Sequence, residues 1–132
     1  MEAKRLPVTA GVILRDGQVL LARRGPTGDR AGLWEFPGGK VEAEETAEEA
    51  LRRELREELA IEVEVGPLLL TVDHDYPDKA IRLLVYACRL VAGEPRPVEC
   101  AEVRWVDQME LRNYRLAPAD EPVAGCLLGR QP

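Results

Sequence analysis

A chain of 132 residues, 45% apolar and 32% charged, suits one domain with a sizeable core and is too apolar to be disordered. Its net charge of −6 excludes a broad electrostatic footprint for DNA or RNA. No apolar run approaches the ~20 residues of a membrane-spanning helix.

Val8 to Leu14 reads as a buried strand, Arg15-Asp16-Gly17-Gln18 as an Asp-Gly hairpin turn, and Val19 to Ala22 as the returning strand. Gly25 to Gly28 is loop. Leu33 to Phe36 is a short strand running into Pro37-Gly38-Gly39, where glycine opens backbone turns barred to other residues. A helix starts near Thr46. Glu62 to Val72 and Ile81 to Leu90 are β-rich runs separated by a polar turn that contains Pro77. Val103 to Val106 is another strand. Asp120 to Leu128 is a second helix, with Asp120 as N-cap and Pro122 in the first turn. The order predicts an α/β (α+β) domain with a central mixed sheet and helices packed on it. It fills residues 1–132, with 129–132 as a loose tail.

Cys88, Cys100 and Cys126 form no disulfide framework and no zinc pattern, and Met1 to Pro7 lacks the apolar core of a secretory signal. Both features point to a reducing cytoplasm. Cys88 and Cys126 are expected as buried apolar fillers, and His74, in its polar turn, as a surface residue.

Acid is concentrated in one stretch: ten of the 24 Asp and Glu residues lie between Glu42 and Glu64. Thr46 and Glu49 make a capping box. Leu51, Leu55 and Leu59 recur at i, i+4 and i+8, so that edge of the helix packs on the sheet. Glu48–Arg52 and Glu49–Arg53 are spaced as favourable i, i+4 pairs. Glu54, Glu57 and Glu58 span an arc of about 100° beside the leucine edge. Carboxylates so close raise one another's pKa values unless a cation sits among them. Mg²⁺ or Mn²⁺ is the natural partner, since hard cations take carboxylate oxygens. On a generic Glu-rich helix the same residues would be a solvated face.

The flanking residues decide between these readings. From Gly39 the chain runs through Glu45, Arg53-Glu54-Leu55, Glu57-Glu58 and Ala60-Ile61 at fixed spacings. This resembles the Nudix box, departing from it only where Ala60 replaces the last glycine. Leu33-Trp34-Glu35-Phe36-Pro37-Gly38-Gly39-Lys40 and Leu116-Ala117-Pro118-Ala119-Asp120-Glu121-Pro122-Val123 resemble the lead-in and C-terminal segments of the MutT-like branch of that family. The resemblance implies a Nudix-type α/β/α sandwich and a metal-dependent hydrolase. Such an enzyme cuts a nucleoside triphosphate to the monophosphate and pyrophosphate.

Several site roles follow from the resemblance alone. Glu54, Glu57 and Glu58, with Gly39, would hold the metal. Arg53 would orient a carboxylate of the cluster, with Glu45 as a supporting acid; Arg53 also has Glu49 as a simple pairing partner. A distal carboxylate, as ligand or base, would come from Glu99 or Glu102, and Glu102 is the expected one. By the resemblance Arg24 would lie near the nucleotide, or else be a solvated strand end; Phe36, on its residue type alone, would either stack on the base or belong to the core. Ala60 at the end of the box is expected at positive φ, costing about 1–2 kcal/mol, unless the helix end shifts.

By the same resemblance Asp120 is the expected base reader, since MutT-like enzymes that act on oxidised dGTP carry Asn or Asp in this stretch. Asn offers a donor and an acceptor, which suits the N7–H and O6 of 8-oxoguanine. An ionised Asp only accepts, and suits the amino edge of cytosine unless it is protonated. The Ala-Pro-Ala-Asp stretch also resembles that of bacterial CTP pyrophosphohydrolases. Oxidised dGTP is the leading expectation and cytidine-type nucleotides the alternative. An ADP-ribose-type Nudix hydrolase, a non-catalytic nucleotide-sensing module and a metal-binding scaffold stand further back. The expected partner is a small nucleotide, with neither nucleic-acid polymer nor membrane, acting on a monomer or weak dimer.

Overall fold

The structure, a computed structural model, describes residues 4–129. Seven strands form one mixed sheet: β1 (Leu6–Arg15), β2 (Gln18–Arg23), β3 (Trp34–Glu35), β4 (Gly38–Lys40), β5 (Glu62–Tyr76), β6 (Lys79–Ala92) and β7 (Glu102–Asp107). The strand order is β3-β2-β1-β6-β5, with β4 on β1 and β7 on β2. The β1–β6 pairing is parallel and runs from Leu6↔Ile81 to Ile13↔Cys88; the other pairings are antiparallel. Along one edge of β1 its start takes β4 and its end takes β2.

Helix α1 (Ala47–Leu59) lies on one face of the sheet. The capping box forms as expected: the Glu49 N–H donates to the Thr46 hydroxyl at 3.1 Å, and the Thr46 N–H to the Glu49 carboxylate at 2.8 Å. Ala50, Leu51, Leu55 and Leu59 are fully buried, the leucines packing with Ile13, Leu20, Ile61 and Cys88. The other face is covered by α2 (Glu121–Leu127) and by 3-10 helices at Gln108–Asn113 and Pro118–Asp120. There Val12, Leu21, Trp34 and Phe36 pack with Leu111, Val123 and Ala124. The layers are therefore α/β/α.

The structure departs from the expected elements in several places. β5 and β6 reach Tyr76 and Lys79, so the turn between them is only Pro77-Asp78 and His74 sits in a strand. Ion pairs hold that extension straight: Asp73 accepts from Arg82 at 2.8 and 3.0 Å, and Arg5 lies 2.9 Å from Asp75. Cys88 is buried as expected, but Cys126 is exposed, because α2 turns that side to solvent. Ala60 does adopt the left-handed conformation, at φ 59° and ψ 39°. Its N–H still reaches the Arg56 carbonyl at 3.0 Å, so the helix ends where the box predicts. Of the expected tail, residues 130–132 lie outside the described part.

Candidate active site

Arg53 organises the acidic face of α1. It turns away from Glu49, which the capping box occupies, and grips Glu45 through two bonds of 2.7 and 3.1 Å. Its remaining donors reach Glu54 and Glu57, each at 3.2 Å, and the Lys40 carbonyl at 3.0 Å. One planar guanidinium thus ties the loop before the helix, strand β4 and two carboxylates of the cluster together. The Arg53 hydrogen bond holds the Glu45 carboxyl below its ordinary range, while the same bond holds Arg53 above its own.

Gly38 and Gly39 are needed for their missing side chains rather than for an unusual backbone. Neither has positive φ, contrary to the expected glycine turn. A Cβ at Gly38 would lie 2.0 Å from the Thr9 carbonyl oxygen, so only glycine lets β4 pair with β1 here. A Cβ at Gly39 would lie 2.2 Å from the carboxyl carbon of Glu54. The Glu54 carboxylate is therefore pressed against bare backbone. The Thr9 hydroxyl donates to the Gly39 carbonyl at 3.2 Å.

Glu58 stands in the least solvated part of the cluster. Burial, then a hydrogen bond shared with Glu54, then the charges of Glu54, Glu35 and Glu99, push its pKa up to about 9. The distal carboxylate near it is Glu99, not the expected Glu102. Strand alternation explains the difference: Val103 and Trp105 face α1, so Glu102 and Arg104 face the opposite side. There Glu102 pairs with Arg104 and lies 3.7 Å from Arg23. Glu99 precedes the strand. Its N–H and that of Val98 bond the Glu58 carbonyl at 3.2 and 3.0 Å, and the Arg96 N–H bonds the Leu59 carbonyl at 3.0 Å. The carbonyls left over at the end of α1 thereby bring Glu99 to a small cleft it shares with Glu58, Glu35 and Arg24.

Glu35 was not singled out in the sequence. Its side chain is 26% exposed and bonds Arg24 at 3.1 Å. Burial raises its pKa, and Arg24 opposes the rise. A charged residue between Trp34 and Phe36, both buried, is the signal that marks it: in a strand it must point to the face opposite theirs.

A larger cleft of about 550 Å³ is lined by Glu54 and Gly39, by Arg24 and Glu35, and by Phe36, Tyr76 and Asp120. Asp120 is not the cap of α2. It has helical angles and makes no capping bond, and its carboxyl, 6% exposed, turns inward. There it accepts the Phe36 N–H at 2.9 Å. Burial, and next the charge of Glu35, raise its pKa well above the ordinary value, against the pull of the Phe36 N–H and Arg24. Burial and the Glu35 charge thus favour the protonated form of this carboxyl, which lines the cleft.

The residues present fit a divalent cation. The donors are hard oxygens, Gly39 leaves room for the Glu54 carboxylate where a side chain would otherwise stand, and Glu58 is a carboxyl that a cation would relieve of its proton. Among the described residues no three acidic, histidine or cysteine side chains already converge as a finished ligand set. Glu57 is turned toward Arg53 instead.

A NUDIX domain model matches residues 9–124. The chain is 42% identical to a CTP pyrophosphohydrolase of Escherichia coli over 120 residues, covering 91% of this chain and 89% of that protein. It is 39% identical to an 8-oxo-dGTP diphosphatase of Haemophilus influenzae, covering 97% and 95%. The crystal structure of a MutT NUDIX hydrolase from Burkholderia pseudomallei superposes with a TM-score of 0.83 at 35% identity, covering 92% of this chain and 96% of that one. With the acidic cluster of α1 and the cleft beside it in place, the chain belongs to the Nudix family, in its MutT-like branch, and is a hydrolase of phosphoanhydride bonds.

Proposed function

We propose that this hydrolase is a divalent-metal-dependent nucleoside triphosphate pyrophosphohydrolase that releases pyrophosphate, with oxidised purine nucleotides such as 8-oxo-dGTP as its substrates. The observation that carries the reading is the Asp120 carboxyl, buried in the cleft that Glu54 also lines, where burial favours its protonated form. A neutral carboxyl has a donor and an acceptor, as Asn does. It matches the N7–H and O6 of 8-oxoguanine while one of its oxygens keeps the Phe36 N–H. Phe36, whose ring lies in the core rather than free to stack on the base as expected, contributes its N–H to Asp120, and Arg24 lines the same cleft.

At the acidic end, Glu54, Glu57, Glu58 and the Gly39 carbonyl are the residues that would hold Mg²⁺, or Mn²⁺ in its place. When bound, the cation supplies positive charge against the phosphoanhydride oxygens and activates water. Arg53 keeps Glu54 and Glu57 oriented, and Glu45 keeps Arg53 in place. Glu99, which shares a cleft with Glu58, takes the place expected of Glu102 as the distal carboxylate, as ligand or base.

Cytidine nucleotides form the second reading. An ionised Asp120 accepts only and suits the amino group of cytosine, and the 42% identical relative is named a CTP pyrophosphohydrolase. Pyrophosphate release across a panel of 8-oxo-dGTP, dGTP, CTP and dCTP, with Mg²⁺ and with chelator, tests both. The highest kcat/KM is expected for 8-oxo-dGTP, with no turnover in chelator. CTP or dCTP in first place transfers the assignment to the second reading. Release from none of them sinks both.

A further inference from the structure

The cleft holds a half-buried hydroxyl that neither the metal site nor the base contact uses. Tyr76, the last residue of β5, accepts the Ala119 N–H at its phenolic oxygen, 3.0 Å away. Ala119 immediately precedes Asp120 in the 3-10 helix Pro118–Asp120. The opening N–H groups of any helix lack internal partners. Here Pro118 has none to offer, and Ala117, the capping position, makes no side-chain bond. Tyr76 therefore supplies the cap that the segment itself lacks, reaching across 43 residues of sequence.

Tyr76 is itself held. The Arg30 guanidinium lies 4.2 Å over the centre of its ring, and Arg30 is 3.6 Å from Asp78 in the adjoining turn. Arg30 is mostly covered, with 15% of its side chain exposed. A stacked, partly desolvated cation of this kind fixes a ring more firmly than an exposed one. The loop carrying Arg30, the β5–β6 turn and the Asp120 segment thus meet at one phenol.

We infer that Tyr76 is a positioning residue for base selection: by capping Ala119 it sets where the Asp120 carboxyl points, and Arg30 keeps the phenol in place. The inference rests on the reading of Asp120 as the base-contacting group. Tyr76→Phe removes the acceptor and keeps the ring and its stacking. The Ala119 N–H then lacks a partner where water has little access, and the segment must shift to find one. A shift that small at a hydrogen-bonding site still alters discrimination between bases.

The test measures kcat and KM of Tyr76→Phe on 8-oxo-dGTP and CTP, with Asp120→Asn and Arg30→Gln measured alongside. For Tyr76→Phe the ratio of the two kcat/KM values is expected to move about tenfold, with the loss falling on KM more than on kcat. Arg30→Gln, which leaves the phenol and its bond to Ala119 in place but removes the stacked cation, should move it the same way by less. A purely structural role would lower stability and scale both substrates equally, leaving the ratio fixed. If Asp120→Asn moves the ratio and Tyr76→Phe and Arg30→Gln do not, the inference is overturned and the base reading survives. If Asp120→Asn leaves the ratio unmoved as well, the base reading fails and takes the inference with it.

Discussion

At the acidic end of the cleft one helix does nearly all the placing. Glu54, Glu57 and Glu58 sit within two turns of α1, and the leucines beside them lock the helix to the sheet. At the other end Phe36, Tyr76 and Asp120 come from three segments far apart in the chain and meet through single hydrogen bonds of 2.9 and 3.0 Å. Rigid placement on one element suits chemistry that every substrate shares. Placement by a few long-range bonds suits a feature that differs between substrates, since one residue retunes it without disturbing the helix.

The largest effect that would break this contrast is at Glu57. Glu57→Gln should lower kcat by ~10²-fold or more on every triphosphate alike, since charge stabilisation of this kind is worth several kcal/mol. The thermal midpoint should stay near that of the parent, because 52% of the side chain is exposed and its partner is Arg53. A near-parental rate in Mg²⁺, or a change in base preference, would remove Glu57 from the shared machinery.

Asp120→Asn should do the reverse, moving the 8-oxo-dGTP to CTP ratio by about tenfold to a hundredfold with the chemistry retained. Acidity sharpens the test. The folded pKa of Asp120 is raised by burial and by Glu35, against Arg24 and the Phe36 N–H, and Tyr76 is the other titratable group facing it. The neutral form therefore persists above the ordinary carboxylate range. As pH climbs through the raised value the carboxyl ionises and loses its donor, so preference for 8-oxo-dGTP over CTP should fall. The Asn variant should show a flat ratio. Stability obeys the same sign: the folded protein keeps a proton that the unfolded chain releases. That contribution is present in full below the unfolded pKa and is lost as pH rises through the folded one. The Asn variant should accordingly gain on the parent toward alkaline pH. Parallel pH profiles of the two proteins would refute the assignment of a neutral Asp120.

The smallest effect lies outside both ends. Ala60→Gly should stabilise by roughly 1 kcal/mol, because the left-handed angles at Ala60 suit glycine better, less what glycine loses in the unfolded chain. A lower thermal midpoint in calorimetry would mean that the methyl group contributes more than its strain costs.

The same contrast governs how much of the molecule was legible in its sequence. The capping box, the leucine edge and the arc of glutamates are local and periodic, so spacing alone placed them. The left-handed Ala60 followed from the one departure in the box. Sequence does not separate Glu102 from Glu99, because both lie just before the same strand. What separates them is pleat direction and the bonds from Val98 and Glu99 to Glu58, which no local pattern encodes. Asp120 had the composition of a helix cap, but tertiary burial claimed its carboxyl for Phe36. His74 sat among Asp73, Asp75 and Asp78, a turn-like composition, yet cross-strand ion pairs carried the strand past it.

The end of α1 has one further consequence. Its last carbonyls are met by the N–H groups of Arg96, Val98 and Glu99, so the helix terminus and the segment bearing Glu99 are stitched into one unit. A fluctuation that frays the last turn must release Glu58 and Glu99 together, and neither carboxylate is lost alone. The amides of Val98 and Glu99 therefore act as a built-in gauge: their exchange with solvent deuterium reports how often the whole acidic end opens.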